Sequence, residues 1–476
     1  MRHPVILAGL LGLSLLVGCR TKPPPNHADV REQGLTNVMV PSAWKAGGES
    51  AGITDDWLAT FEDEQLDALV REAITNNFDL RISAIRVEQA AHYVELAKAG
   101  LRPSVALAGT GGIKAGGGGD VSSALQGIII AASWEPDLWG RLRYGRNAAQ
   151  AQHASAQADF EFARQSMAAG TARSWFTATE TLLQRQTAEE MVRAARELLT
   201  LAEQRQRVGI GDEQEVALAR ANLGGFEDTA RQARFAYDQA LRALELLLGR
   251  YPAAELQARS ELTKLPGAVP AGMPLEMLER RPDLVAAERR VAAAFIRVGE
   301  AKAARLPRLT LNISGGAISS EVVELKSDFK NPTGGAGARL IAPIYQGGAL
   351  KAQVEIRTSE QKQAVAEYGR MALRALGDVE NALAASQTLA EREPILRQNL
   401  ADNQRALQLA QEAYRVGRGD LRAVQQQQLN VHAARLALLR VQSEQLTQRV
   451  NLHLALGGGW EMPAVEQANA TTKQEN

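Results

Sequence analysis

Hydrophobic and polar positions along the chain fall into long helical runs separated by short alternating ones. From about Asp63 to Gly100, Leu66, Leu69, Val70, Ile74, Leu80 and Ile85 share one broad apolar face of a helix that Pro103 closes. A far longer helical pattern runs from about Arg141 to Arg207, crossed only by Gly145 and Gly170, and its counterpart runs from about Leu350 to Arg415. At 1.5 Å per residue each extends roughly 90–100 Å. In the second, Val365, Tyr368, Ala372, Leu376, Val379 and Leu383 step by three and four, a coiled-coil seam whose plain meaning is core packing. Leu436, Leu439, Leu446 and Val450 continue that spacing on the returning helix. Pro394 predicts a kink in the second long helix, where the first half has Gln186. Between the helical runs, Val105–Gly109, Ile128–Ala132, Leu309–Ile313 and Ala338–Ile344 are β-branched or alternating and bounded by Gly and Pro, which predicts four strands in two hairpins.

The long runs end at matching turns. Arg207-Val208-Gly209-Ile210-Gly211-Asp212 is written again as Arg415-Val416-Gly417-Arg418-Gly419-Asp420. Glycine stops a helix and reverses the chain because it takes positive φ without a Cβ clash. The aspartate then caps the next helix. Ala97-Lys98-Ala99 matches Ala301-Lys302-Ala303, Pro103 matches Pro307, and Leu246, Leu248 and Gly249 match Leu454, Leu456 and Gly457. The chain is therefore a tandem repeat.

Four strands leave open edges, which lipid does not tolerate; three copies would supply twelve strands and remove every edge. The fold class predicted is mainly α with a membrane β-barrel. Each protomer gives long helices to a coiled-coil tunnel and four strands to a twelve-stranded barrel closed as a trimer. Repeat 1 spans residues 56–250, with a β-hairpin at 104–135 and a helical hairpin at 141–249. Repeat 2 spans 279–460, with hairpins at 308–345 and 349–456, and a Pro-rich connector at 251–278 joins the two. A polar tail at 461–476 reads as disordered.

The first residues, 1–18, form an export signal: Arg2, then an apolar stretch from Val5 to Val17 too short to span a bilayer. It ends in Leu16-Val17-Gly18-Cys19, which matches a lipobox and makes Cys19 the predicted lipid attachment site. Residues 19–55, with Pro23-Pro24-Pro25 and Gly47-Gly48, read as an extended lipidated tether. Charge balances at 54 basic and 54 acidic residues, which implies no nucleic-acid-binding field. The single Cys excludes a disulfide framework, and the scattered histidines form no metal-ligand spacing, so neither metal nor cofactor is expected. Gly116–Gly119 lacks the Lys-Ser/Thr of a phosphate loop, and no catalytic constellation emerges, so the chain is not expected to be an enzyme. Asp212 and Asp420 have two readings: helix caps alone, or caps that also put six carboxylates at a trimer's tunnel entrance.

Arg280-Arg281-Pro282-Asp283-Leu284 with Glu288, Asp137-Leu138-Trp139-Gly140-Arg141, Glu380-Asn381-Ala382-Leu383 and Ala455-Leu456-Gly457-Gly458-Gly459-Trp460 together resemble the outer-membrane efflux factors of the TolC/OprM type, in the NodT lipoprotein branch. The resemblance implies a homotrimer in the outer membrane of a Gram-negative bacterium, lipid-anchored, with most of its mass in the periplasm. It implies passive conduction of small toxic molecules or drugs, a periplasmic adaptor protein as partner, and an inner-membrane pump of the RND type beyond it. Adaptor contact would fall on the exposed turns, Val208, Gly209, Ile210, Gly211, Val416, Gly417, Arg418 and Gly419. Two departures stand out. The family's usual Leu-Asp-Ala-Gln is here Gln425-Gln426-Gln427-Gln428, without the acidic residue, and Pro136 stands where an apolar residue is usual. A protein-secretion duct of the same architecture and a periplasmic coiled-coil scaffold lipoprotein are the alternatives.

Overall fold

The computed structural model describes residues 21–48, 52, 55–111, 113–115, 121–123, 126–319 and 332–459. Cys19, the Gly116–Gly119 run, Trp460 and the 461–476 tail lie outside them. In chain order the elements are α1 (His27–Gly34), a 3-10 turn (Trp57–Phe61), α2 (Glu64–Asn76), α3 (Phe78–Ala99), β1 (Ser104–Thr110), β2 (Ile113–Ala115), β3 (Val121–Ser123) and β4 (Gln126–Trp134). There follow α4 (Arg141–Arg207), α5 (Glu213–Leu247), α6 (Pro274–Arg280), α7 (Pro282–Ala303), β5 (Arg308–Ser319), β6 (Thr333–Ile341), α8 (Ala349–Arg415) and α9 (Leu421–Ala455). α4 and α8 each have 67 residues, about 100 Å at the helical rise.

Two compact units divide the chain. The first, residues 1–37, 85–158 and 285–371, carries the strands. Its four-stranded antiparallel sheet has the order β1-β4-β5-β6, with β2 and β3 paired separately. The second hairpin is longer than its apolar runs imply. β5 continues through Gly315 and Gly316, and β6 begins at Thr333 and stops before Pro343. Ladder pairing of Ser314 with Gly335 and Asn312 with Gly337 holds glycines that have little strand propensity of their own.

The second unit, residues 38–84, 159–284 and 372–476, is helical. Trp57, Phe61, Leu66, Val70, Trp175, Phe176, Leu244, Leu446 and Val450 form its main core. Asp63, almost fully buried, caps α2 at Leu66 N (3.2 Å) and accepts from Trp175 Nε1 (3.1 Å) and Thr263 Oγ1 (2.9 Å).

Two expectations change. The single helix from Asp63 to Gly100 is two helices, broken at Asn77. There the Asn77 side chain accepts from Asp79 N and Leu80 N and donates to Leu247 O (3.0 Å). Past the break the register shifts, and Ile85 is exposed instead of sharing the buried face of Leu66 and Val70. The second repeat breaks likewise at Arg281, which donates to Ala455 O (3.3 Å).

The proposed tether, in turn, has structure of its own. Asn26 and Asp29 form a reciprocal capping box on α1. In the first unit, His27 Nδ1 meets Glu288 Oε2 at 2.5 Å and a Cβ on Gly369 would collide with the Gly34 carbonyl. In the second, Trp44 Nε1 donates to Ala271 O (3.0 Å), and Glu380 accepts from Lys45 N (2.9 Å) and Ala46 N (2.8 Å). Residues 26–46 are a strap packed on the protein. α8 runs unbroken through Pro394.

Candidate functional site

The first unit's sheet separates its residues by polarity. Alternation and register put Val105, Leu107, Ile128, Ile130, Ala132, Leu309, Leu311, Ile313, Ala317, Ala336, Ala338 and Leu340 on one face. Over residues 105–109, 128–134, 309–317 and 334–340 that face has no charged or hydrogen-bonding side chain except Trp134, and most of its large members are exposed. The opposite face carries Ser104, Ser133, Arg308, Thr310, Asn312, Ser314 and Arg339, with Ala106, Ala108, Ile129, Ala131 and Ile341 as its apolar members. An exposed apolar face of this extent needs lipid against it, and the polar face needs water. β1 and β6 are each paired on one side only, so both sheet edges are open. Among the described residues no helix is long and apolar enough to cross a membrane.

The turns lie in the second unit. Gly209 and Gly417 take φ of 77° and 74°. Each sits in a Schellman arrangement: Gly209 N reaches Gln206 O (3.0 Å) and Ile210 N reaches Arg205 O (3.0 Å), while Gly417 N reaches Tyr414 O (3.1 Å) and Arg418 N reaches Ala413 O (2.8 Å). The second glycine of each pair serves close approach instead. A Cβ on Gly211 would press on Arg205 and Gln206, and one on Gly419 on Ala413 and Tyr414. Val208, Ile210 and Val416 are 69%, 64% and 67% exposed, which leaves apolar knobs at the turns. Asp212 caps α5 through Glu215 N (2.8 Å), and Asp420 caps α9 through Arg422 N (3.0 Å).

Glu215, whose backbone N–H Asp212 caps, turns its side chain to the other turn. Glu215 Oε2 accepts from Tyr414 Oη (3.2 Å) and lies 3.9 Å from Arg205 Nε. The Arg205 guanidinium covers the Tyr414 ring at 4.6 Å and donates to the Tyr414 carbonyl (3.1 Å). These three residues tie the two turns together over a core of Ala202, Val216, Leu421 and Val424. Burial, with the Glu215 carboxylate beside it, pushes the Tyr414 hydroxyl up to about 12, so it stays a donor throughout the physiological range. Sequence reading missed the trio because the second repeat has Ala413 where Arg205 stands and the first has Gln206 where Tyr414 stands. In the glutamine run, Gln428 is buried and accepts from Asn222 Nδ2 (3.3 Å), while Gln426 is exposed and bonds within its own helix to Asn430. No group of three His, Cys, Asp or Glu able to hold a metal occurs among the described residues.

The chain matches the family model described as outer membrane efflux protein over residues 69–250 and 273–458. It is 30% identical over 470 residues to the pyoverdine export outer membrane protein OpmQ of Pseudomonas putida, covering 95% of this chain and 97% of that one. The probable efflux pump outer membrane protein TtgC of the same species is 29% identical over 423 residues, 86% of each chain. Among solved structures, the outer-membrane channel OprN superposes with a TM-score of 0.80 at 25% identity, over 92% of this chain and 99% of that one.

Proposed function

The chain belongs to the outer membrane efflux protein family and is an outer-membrane efflux channel, and from that premise we propose that three copies close one twelve-stranded barrel. The observation that carries the proposal is the two-faced sheet with open edges at β1 and β6. Four strands cannot enclose a water-filled lumen, whereas twelve leave no edge and turn every apolar face outward. The conduit is passive and carries small toxic molecules or drugs out of the cell. The pyoverdine export role of OpmQ supports small-molecule cargo over the protein-secretion alternative. Acyl chains on Cys19 anchor the mature chain to the outer membrane, and the sequence before it supports this as a lipobox.

The turns Val208-Gly209-Ile210-Gly211 and Val416-Gly417-Arg418-Gly419 are the docking surface for a periplasmic adaptor, which joins the channel to an RND-type inner-membrane pump. The exposed side chains of Val208, Ile210 and Val416 support this, since the turn hydrogen bonds engage only their backbones and the capping uses none of them. Asp212 and Asp420 stand beside them, two carboxylates per copy at the entrance. The experiment is the double substitution Val208→Asp with Val416→Asp, which puts charge into an apolar contact. Efflux and adaptor co-purification should be lost while trimers still assemble in the membrane. Normal export by the double variant, or failure only through lost assembly, would remove the turns from the interface.

A further inference from the structure

The charges on the polar face of the sheet are all of one sign. Among the described residues, Arg308 and Arg339 are the only ionisable ones on that face of β1, β4, β5 and β6. Arg308 lies 3.9 Å from Glu135 Oε2, but Glu135 is already held by Arg141 in two bonds of 2.9 and 3.0 Å. One carboxylate therefore faces two guanidiniums. Arg339 is exposed, is the Cα partner of Thr310, and has no carboxylate within ion-pair distance among the described residues. A cavity of about 650 Å³ in the same unit is lined by Arg86, Arg146 and Arg297 against Glu300, with Tyr93 and Leu142 in its wall.

We propose that this section of the conduit selects for anionic permeants, with Arg339 as the residue that sets the preference. The proposal rests on the barrel reading above, in which the polar face lines water. Three copies then place three uncompensated guanidiniums around one lumen, in a wall that over the described residues of β1, β4, β5 and β6 is otherwise neutral apart from the Arg308–Glu135 contact. Such a ring raises the local concentration of anions and lowers that of cations. Amphipathic organic anions fit both features, the guanidinium ring and the cavity with three cations in an apolar wall.

The test reads charge preference with a thiol reporter in the full-length chain. Asn312→Cys places a thiol on the same exposed face, diagonal to Arg339. The chain has one natural cysteine, Cys19, and the unsubstituted protein run in parallel sets the background. The probes are the anionic sulfonatoethyl and the cationic trimethylammonioethyl methanethiosulfonates, with their rates on free cysteine as reference. Relative to that reference, the anionic reagent should be favoured roughly three- to tenfold at low salt, the size set by unit charges several ångströms apart in a screened aqueous wall. Adding Arg339→Gln should bring the preference to near the free-cysteine value, and Arg339→Glu should invert it. A thiol that reacts with both reagents without charge preference, or with a preference that Arg339→Gln leaves intact, overturns the assignment to Arg339 while leaving the conduit in place. A thiol that neither reagent reaches overturns the water-lined face itself.

Discussion

Ile130→Arg is the sharpest perturbation of the membrane wall. Ile130 sits in the middle of β4, between Leu107 and Gly315 on the apolar face, and is 56% exposed. An arginine at the midplane of a barrel's lipid face costs about 2–4 kcal/mol. In a closed trimer the substitution occurs three times, so about 6–12 kcal/mol is expected per assembly, enough to unfold most barrels of marginal stability. Asn312→Arg is the control. It adds the same side chain to the opposite face, next to Ser133 and Gly337, where water solvates it, and should cost under about 1 kcal/mol. Denaturant unfolding in lipid vesicles, followed by intrinsic fluorescence, gives both numbers. Equal losses from the two variants would refute the assignment of faces, and so would full stability of Ile130→Arg.

Other expectations are independent of the barrel. Mass spectrometry of the mature N-terminus should find Cys19 as the first residue with acyl chains attached; a free thiol, or cleavage elsewhere, removes the anchor. Glu380→Ala deletes the acceptor for Lys45 N and Ala46 N, should cost about 1–3 kcal/mol, and should expose the strap near Trp44 to limited proteolysis; an unchanged cleavage pattern would mean the strap is held otherwise. His453, 2% exposed and stacked on Trp57 at 5.9 Å, is held down at about 4 by burial and then by Arg449. Its folded-state value lies below the usual 6.5, so its neutral form is the one that fits. Stability present above pH 6.5 should fall by about 3 kcal/mol as the pH drops toward 4. His453→Phe should flatten that part of a thermal-melting profile, and an unchanged slope would assign the pH dependence to other groups.

The features legible in the sequence were those that local chemistry fixes. Gly209 and Gly417 are placed by the need for positive φ and Asp212 and Asp420 by capping, and each stands where those rules put it; alternation locates the four strands but misses the ends of the last, which runs Thr333–Ile341 instead of Ala338–Ile344. The break at Asn77 was legible too, but only through the repeat. Arg281-Pro282 occupies the matching place in the second half, and proline there forces the interruption that Asn77 makes with its side chain. The strap was hidden by its Pro and Gly content, although Asn26 and Asp29 already have capping-box spacing. Nothing local could pair Arg205 with Tyr414 or Glu380 with Lys45, because those contacts join residues far apart in the chain and break the repeat's symmetry.

Closure by three copies is the central claim, and the mass of the membrane-extracted assembly tests it most directly. Light scattering with the detergent contribution subtracted, on protein whose strand content is checked by circular dichroism, should return three protomers of the mature chain. A monomer that keeps all four strands, stable in detergent and able to re-enter vesicles, would contradict it.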